Sequence, residues 1–168
     1  MRFKSRYHLH QVYIYILFSF FVVSCSRLTI RENYSLNSFL SQSFNNFREP
    51  SLGLNSLAIL VNQNGREKIR LIDLKTRRVI ALPGINRSDS QPISLSINSD
   101  GTRIAFISQR EDQTELFVYR IKSARLQRLD LRPKGIPKRV SMNGSGSLLA
   151  VQVSRDGRWF IDFIKIPA

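Results

Sequence analysis

Cysteine is nearly absent from this chain: Cys25 is the only one in 168 residues, so no disulfide can form within it. Histidine is almost as scarce, with His8 and His10 both inside the first ten residues. Long apolar runs are missing too. The stretch Val12–Val23 (VYIYILFSFFVV) is about 12 residues, where a bilayer span takes roughly 20. Acidic residues number 12 against 26 basic ones, a net charge of +14. No Asp-x-Asp-x-Asp-Gly loop argues for calcium, and no carboxylate pair has a spacing that argues for glycoside chemistry.

What stands at the N-terminus is ordered. Arg2, Lys4 and Arg6 precede the apolar run and Ser24 closes it, the order of a secretory signal. The sequence Val22-Val23-Ser24-Cys25 resembles the lipobox of bacterial lipoproteins, in which the peptide is cut before the Cys and the thiol is acylated. That resemblance implies a signal peptide over 1–24, a lipidated tether over 25–48 and lipidation at Cys25. Two or three acyl chains hold a protein firmly, at about 0.8 kcal/mol per buried CH₂. Ser26, rather than Asp, after the Cys implies the outer membrane over the inner. The rival reading of 12–23 is a single membrane anchor or a buried helix. Cleavage removes both histidines and consumes the thiol. That excludes Ser-His-Asp and Cys-His nucleophiles and His/Cys zinc or haem sites. No cofactor is expected.

The 144 residues left after cleavage carry 23 basic and 12 acidic side chains, a net charge of +11. They suffice for one domain with a real core. The charge favours anionic partners such as lipid headgroups, lipopolysaccharide or acidic wall polymers. Export argues against nucleic acid. Arg120, Lys122, Arg125, Arg128, Arg132, Lys134, Lys138 and Arg139 crowd one stretch, opposed only by Asp130. Strand alternation places Arg120 and Lys122 on one face, and Pro133, Gly135 and Pro137 mark a loop. This stretch is a candidate contact patch, each residue worth on the order of 1 kcal/mol near an anionic membrane. The alternative is a solvated rim that keeps the surface soluble.

Residues 26–48 are rich in Ser and Asn, yet Leu36, Phe39, Leu40, Phe44 and Phe47 fall near helical spacing. Both a flexible tether and a short amphipathic helix fit. From Glu49 onward the chain reads as short strands: LNSLAILVNQ, KIRLIDL, VIAL, PISLSIN, TRIAFIS, ELFVYRI, LQRL, KRVSMN, LLAVQV and RWFIDFIKI. Asn64-Gly65, Asp100-Gly101, Gly144-Ser145-Gly146 and Asp156-Gly157 punctuate them. Ala58, Ala105 and Ala150 each sit in an apolar strand, 47 and 45 residues apart. Pro50, Pro92 and Pro137 precede the units at spacings of 42 and 45. A period near 45 with about four strands per unit is that of a propeller blade. The small Ala suits a place where blades pack closely.

The unit INSDGTRIAFISQREDQTELFVYRIKSARLQRL resembles the TolB-like β-propeller repeat. Asp100 and Gly101 match its turn, Ile104, Ala105, Phe106 and Ser108 its second strand, and Phe117 and Tyr119 its third. Ile97, Asn98 and Ser99 depart from its aromatic-Ser-Pro. The third unit keeps Gly146, and the first lacks the turn signature. The resemblance implies an all-β fold with three TolB-like blades, a partial or open propeller over 49–168 (about 49–90, 91–135 and 136–168). The last blade lacks an outer strand. Closed propellers usually have 4–8 blades, so the wedge invites self-association into a six-bladed ring, a donated segment such as Leu28–Ile30, or a partner's strand. Solvated edges are the simpler alternative. Asp100 and Asp156 are expected to hold turns. Trp159 is expected in the core, with an exposed contact as the alternative.

The expected function is a non-catalytic binding or scaffold lipoprotein of the bacterial envelope. It would be lipid-anchored, face the periplasm, and meet a protein or an anionic lipid or polymer, with homo-oligomerisation open. The alternatives are a hydrolase-associated propeller subunit and a passive, self-assembling structural lipoprotein. Asp162 and Glu115 are the carboxylates that a catalytic reading would pair in space.

Overall fold

The computed structural model describes residues 31–44 and 46–166. Cys25, the signal and Leu28–Ile30 lie outside the described residues. From Tyr34 the chain forms one compact unit. Among the described residues helix α1 (Tyr34–Ser43) comes first, so the helical spacing in this Ser/Asn-rich stretch prevails there.

Eleven strands follow: β1 (Phe47–Leu52), β2 (Ser56–Gln63), β3 (Arg66–Asp73), β4 (Val79–Ile80), β5 (Gln91–Ile97), β6 (Arg103–Arg110), β7 (Gln113–Arg120), β8 (Arg125–Leu129), β9 (Ile136–Met142), β10 (Leu148–Arg155) and β11 (Arg158–Lys165). They form three antiparallel sheets, β1-β2-β3-β4, β5-β6-β7-β8 and β9-β10-β11. Each sheet is one repeat unit. The architecture is all-β, an open propeller of three blades whose third sheet has three strands among the described residues.

Turn chemistry sets the hairpins. Asn64-Gly65 and Asp156-Gly157 are two-residue loops with positive φ at both positions, which matches the twist of the flanking strands. Register makes the repeat visible in space. Pro92 and Pro137 pair with Ser108 and Val153, and Phe47 with Val61 holds the corresponding place in blade 1. Pro50 therefore lies three residues away from the position its spacing suggests.

The spacings of 47 and 45 also find their cause. The link from β5 to β6 runs Asn98–Thr102, whereas Gly53–Asn55 joins β1 to β2 two residues sooner. Gly53 N–H donates to Ser56 O at 2.8 Å, closing a tighter turn than Asn98 N–H to Arg103 O at 3.2 Å.

Apolar alternation builds the core between blades. Ala58, Leu60, Ile69 and Leu71 of blade 1 face Leu95, Ile97, Ile104, Phe106 and Tyr119 of blade 2. Ala105, Ile107, Leu116 and Val118 of blade 2 face Val140, Met142, Leu149, Val151 and Val153 of blade 3. The other side of blade 1 presents Leu57, Ile59, Val61 and Ile72, covered by Phe39, Leu40 and Phe44. Helix α1 thus takes the place of a preceding blade.

Blade 3 is tied to its incoming link by Arg155. Its guanidinium forks onto Asp162, donates to Lys134 O at 3.0 Å and Pro133 O at 2.8 Å, and lies 5.6 Å from the Phe160 ring. The hydrogen bonds from Arg155 hold the Asp162 carboxyl below its ordinary value. A depressed folded-state value means the pair stabilises the fold above the unfolded carboxylate value, about pH 4, and loses that contribution as pH falls further. The gap in melting temperature between the parent and Asp162→Asn should therefore be present at pH 7 and close as pH falls through the acid range. A gap unchanged down to pH 2 would contradict the pairing.

Candidate binding surfaces

Two contacts repeat between blades with the period of the sequence. Ile97 N–H donates to Ser51 Oγ at 2.9 Å, and Met142 N–H to Ser96 Oγ at 2.9 Å. Leu54 N–H donates to Ser99 O at 2.7 Å, and Ser99 N–H to Gly144 O at 2.9 Å. Every partner is followed 45 residues later by its counterpart. These bonds lie along the innermost strands and stitch each blade to the next.

The turns after the innermost strands of blades 2 and 3 are each latched by an asparagine. Asn98 Oδ1 accepts from Thr102 N and Arg103 N at 3.0 and 2.9 Å, and its amide donates to Asp100 Oδ1 at 2.6 Å. Asn143 Oδ1 accepts from Ser147 N and Leu148 N at 2.9 and 3.0 Å, and its amide donates to Ser145 Oγ at 3.0 Å. Asp100 thus braces a turn, and hydrogen bonds from Thr102 and Asn98 hold its carboxyl below the usual value. The Asp-Gly pair alone does not reveal this latch, since Asn143 makes it without an Asp in its turn. The signal was Asn-x-Asp/Ser-Gly-Thr/Ser at 98 and 143.

The far face of blade 3 is open. Ile161 and Phe163 hold the positions of Ile69 and Leu71 in blade 1 and of Leu116 and Val118 in blade 2. Those four are at most 1 % exposed, whereas Ile161 is 58 % and Phe163 72 % exposed. Trp159, on the same face, is 57 % exposed, which corrects its expected place in the core. The alternation was right, but no described blade follows to cover that side.

The basic stretch divides. Lys122 and Arg125 sit at the turn joining β7 to β8, and Arg132 and Lys134 lie beyond the opposite end of β8. Strand β7 ends at Arg120, so Lys122 lies in the turn and the expected shared face does not form. Arg120 is half-buried. Arg128 is held by Glu115 at 2.9 Å and Asp130 at 3.3 Å, and Arg139 lies 3.8 Å from Glu49. Glu115 and Asp162 are each claimed by an arginine, in different blades. An open cavity of about 860 Å³ lies between the β7–β8 edge and the link to β9. Its lining mixes Arg128, Arg132 and Lys134 with Asp112, Glu115 and Asp130. Arg132, Lys134 and Lys138 are exposed and form no ion pair among the described residues.

No protein-family model matches the chain, and no curated protein matches it. Solved structures do. TolB from Acinetobacter baumannii superposes with a TM-score of 0.56 at 22 % identity, over 70 % of this chain and 29 % of that one. A putative TolB from Agrobacterium tumefaciens gives 0.61 at 12 % identity, over 74 % and 47 %. The fold is that of a TolB-like β-propeller. The propeller domain of the Trilobed protease from Pyrococcus furiosus, described as having an open velcro topology, gives 0.51 at 17 % identity, over 74 % and 43 %. The chain thus spans less than half the length of each of these proteins.

Proposed function

We propose that this TolB-like chain is a non-catalytic binding or scaffold lipoprotein of the bacterial envelope, anchored through Cys25 and presenting its blades to a protein or anionic envelope partner. The observation that carries this reading is the rim at the blade 2–blade 3 link. Arg155 clamps the backbone at Pro133 and Lys134, while Arg132, Lys134 and Lys138 reach solvent without an ion-pair partner among the described residues. A fixed backbone carrying free cations is suited to anionic recognition, because little ordering entropy is lost on contact. The lipobox-like run supplies the anchor and the excess positive charge supports such a partner.

One membrane-association assay tests both halves. Cys25→Ala should abolish labelling by a palmitate analogue and release the chain to the soluble fraction. Changing Arg132, Lys134 and Lys138 together to Ala should weaken binding to anionic vesicles by about tenfold or more at low salt, with the parent's own binding falling as salt is added. Binding insensitive to both salt and substitution removes the rim from the reading. Likeness to a protease propeller favours a second reading, a subunit that accompanies a hydrolase. Co-purification of a peptidase from envelope extracts would distinguish it.

A further inference from the structure

Every inter-blade junction in this chain is made by the same two sets of residues, and each end of the wedge carries one set without its mate. Blade 3 offers Ala150, Ile161 and Phe163, the counterparts of Ala58, Ile69 and Leu71 and of Ala105, Leu116 and Val118. It also offers Ser141, 45 residues beyond Ser96 and exposed where Ser96 is buried. Blade 1 offers Leu52, the counterpart of Ile97 and Met142. Those two are 4 % and 8 % exposed, whereas Leu52 is 69 % exposed. The rest of blade 1's set, Leu57, Ile59, Val61 and Ile72, lies under α1.

We propose that two copies of this chain close into a ring of six blades, blade 3 of each docking on blade 1 of the other, with α1 acting as a displaceable plug. The mate for the blade 3 face is specified by the two junctions already formed: a side chain in the place of Met142, a backbone N–H directed at Ser141 Oγ, and an apolar row like Leu149, Val151 and Val153. The outward side of blade 1 supplies Leu52 with its own N–H, and Leu57, Ile59 and Val61. A head-to-tail contact of this kind closes after two copies if each wedge spans half a turn, and six is within the usual range of blade numbers.

The plug is weakly held. Helix α1 has ten residues and no fully buried side chain. It is shorter than the roughly 12–15 residues at which isolated helices begin to persist, so its packing alone sustains it. A face of three strands, each about eight residues long, covers about 14 by 26 Å. The two junctions of a ring together approach the roughly 800 Å² per partner of a standard specific interface.

The test uses the full chain with Cys25→Ala as parent. Leu52→Cys and Ser141→Cys combined in one chain should yield, on oxidation in the soluble fraction, at least tenfold more covalent dimer than either alone. Ser51→Cys with Ile97→Cys marks the corresponding contact within a copy. In detergent, Ile161→Glu with Phe163→Glu should shift sedimentation from dimer to monomer. Phe39→Glu with Phe44→Glu, which loosens the plug, should raise the dimer fraction. A parent that is monomeric at every concentration, because another segment of its own chain or nothing covers blade 3, overturns the ring. So does a dimer indifferent to the blade 3 charges, or one that Ser141→Cys cross-links by itself, which marks face-to-face pairing.

Discussion

Asn98→Ala is expected to remove about 2–3 kcal/mol of stability, roughly 10 °C in melting temperature for a domain of this size. Asn98 is 1 % exposed, and its Oδ1 serves two backbone N–H groups, of Thr102 and Arg103. Alanine leaves both donors without their acceptor and strips Asp100 of an amide partner, the costly side of a buried hydrogen bond. The site is crowded as well. A Cβ on Gly146 would come within 2.8 Å of Asn98 Nδ2, so Asn98 fills the seam between blades 2 and 3. Gly101 shares the turn with φ +69°, and a Cβ there would meet Ser56 Oγ at 2.5 Å, so the loop cannot shift easily toward blade 1. Asn143 performs the same latching in an exposed turn. Water can replace it, and Asn143→Ala should cost about 1 kcal/mol. Thermal denaturation of the two variants side by side checks the contrast, and equal losses would show that the blade seam contributes nothing.

Ala105→Leu should destabilise by about 1–3 kcal/mol, whereas Ala150→Leu, at the same repeat position, should stay within about 0.5 kcal/mol in dilute monomer. Ala105 is fully buried and packs with Val140, Leu149 and Val151 of the next blade, so added methylenes have no space to enter. Ala150 lies on the open side of blade 3, opposite Phe163 and Ser141 across the sheet. Denaturant unfolding measures both. A large loss for Ala150→Leu at low concentration would mean that its face is already covered.

How much of this was legible in the sequence follows from what repeats. The Ala58, Ala105 and Ala150 series exposed the unit length because a close seam tolerates only a small side chain, and tight Asn-Gly and Asp-Gly hairpins fixed where strands reverse. Exposure was not legible in the same way. The strand RWFIDFIKI alternates as a buried strand does, and whether Trp159 and Phe163 meet protein or water depends on a neighbour that no local pattern encodes. Helix α1 was blurred by its composition, since Ser and Asn dilute the apolar row formed by Phe39, Leu40 and Phe44. The basic residues looked like one patch because they are close in sequence. Strand β8 separates Arg125 from Arg132 along its own length, and Glu115 and Asp130 occupy the arginine between them.

Among the described residues only the middle blade is flanked by sheet on both sides. In a stack where each layer is stabilised by its neighbours, rigidity is graded along the chain. Thermal opening would begin at the flanks and reach Tyr119, Ile104 and Leu116 last. Amide protons of β6 and β7 are then the slowest to trade with solvent, and this central layer is the seed on which its two less cohesive companions assemble.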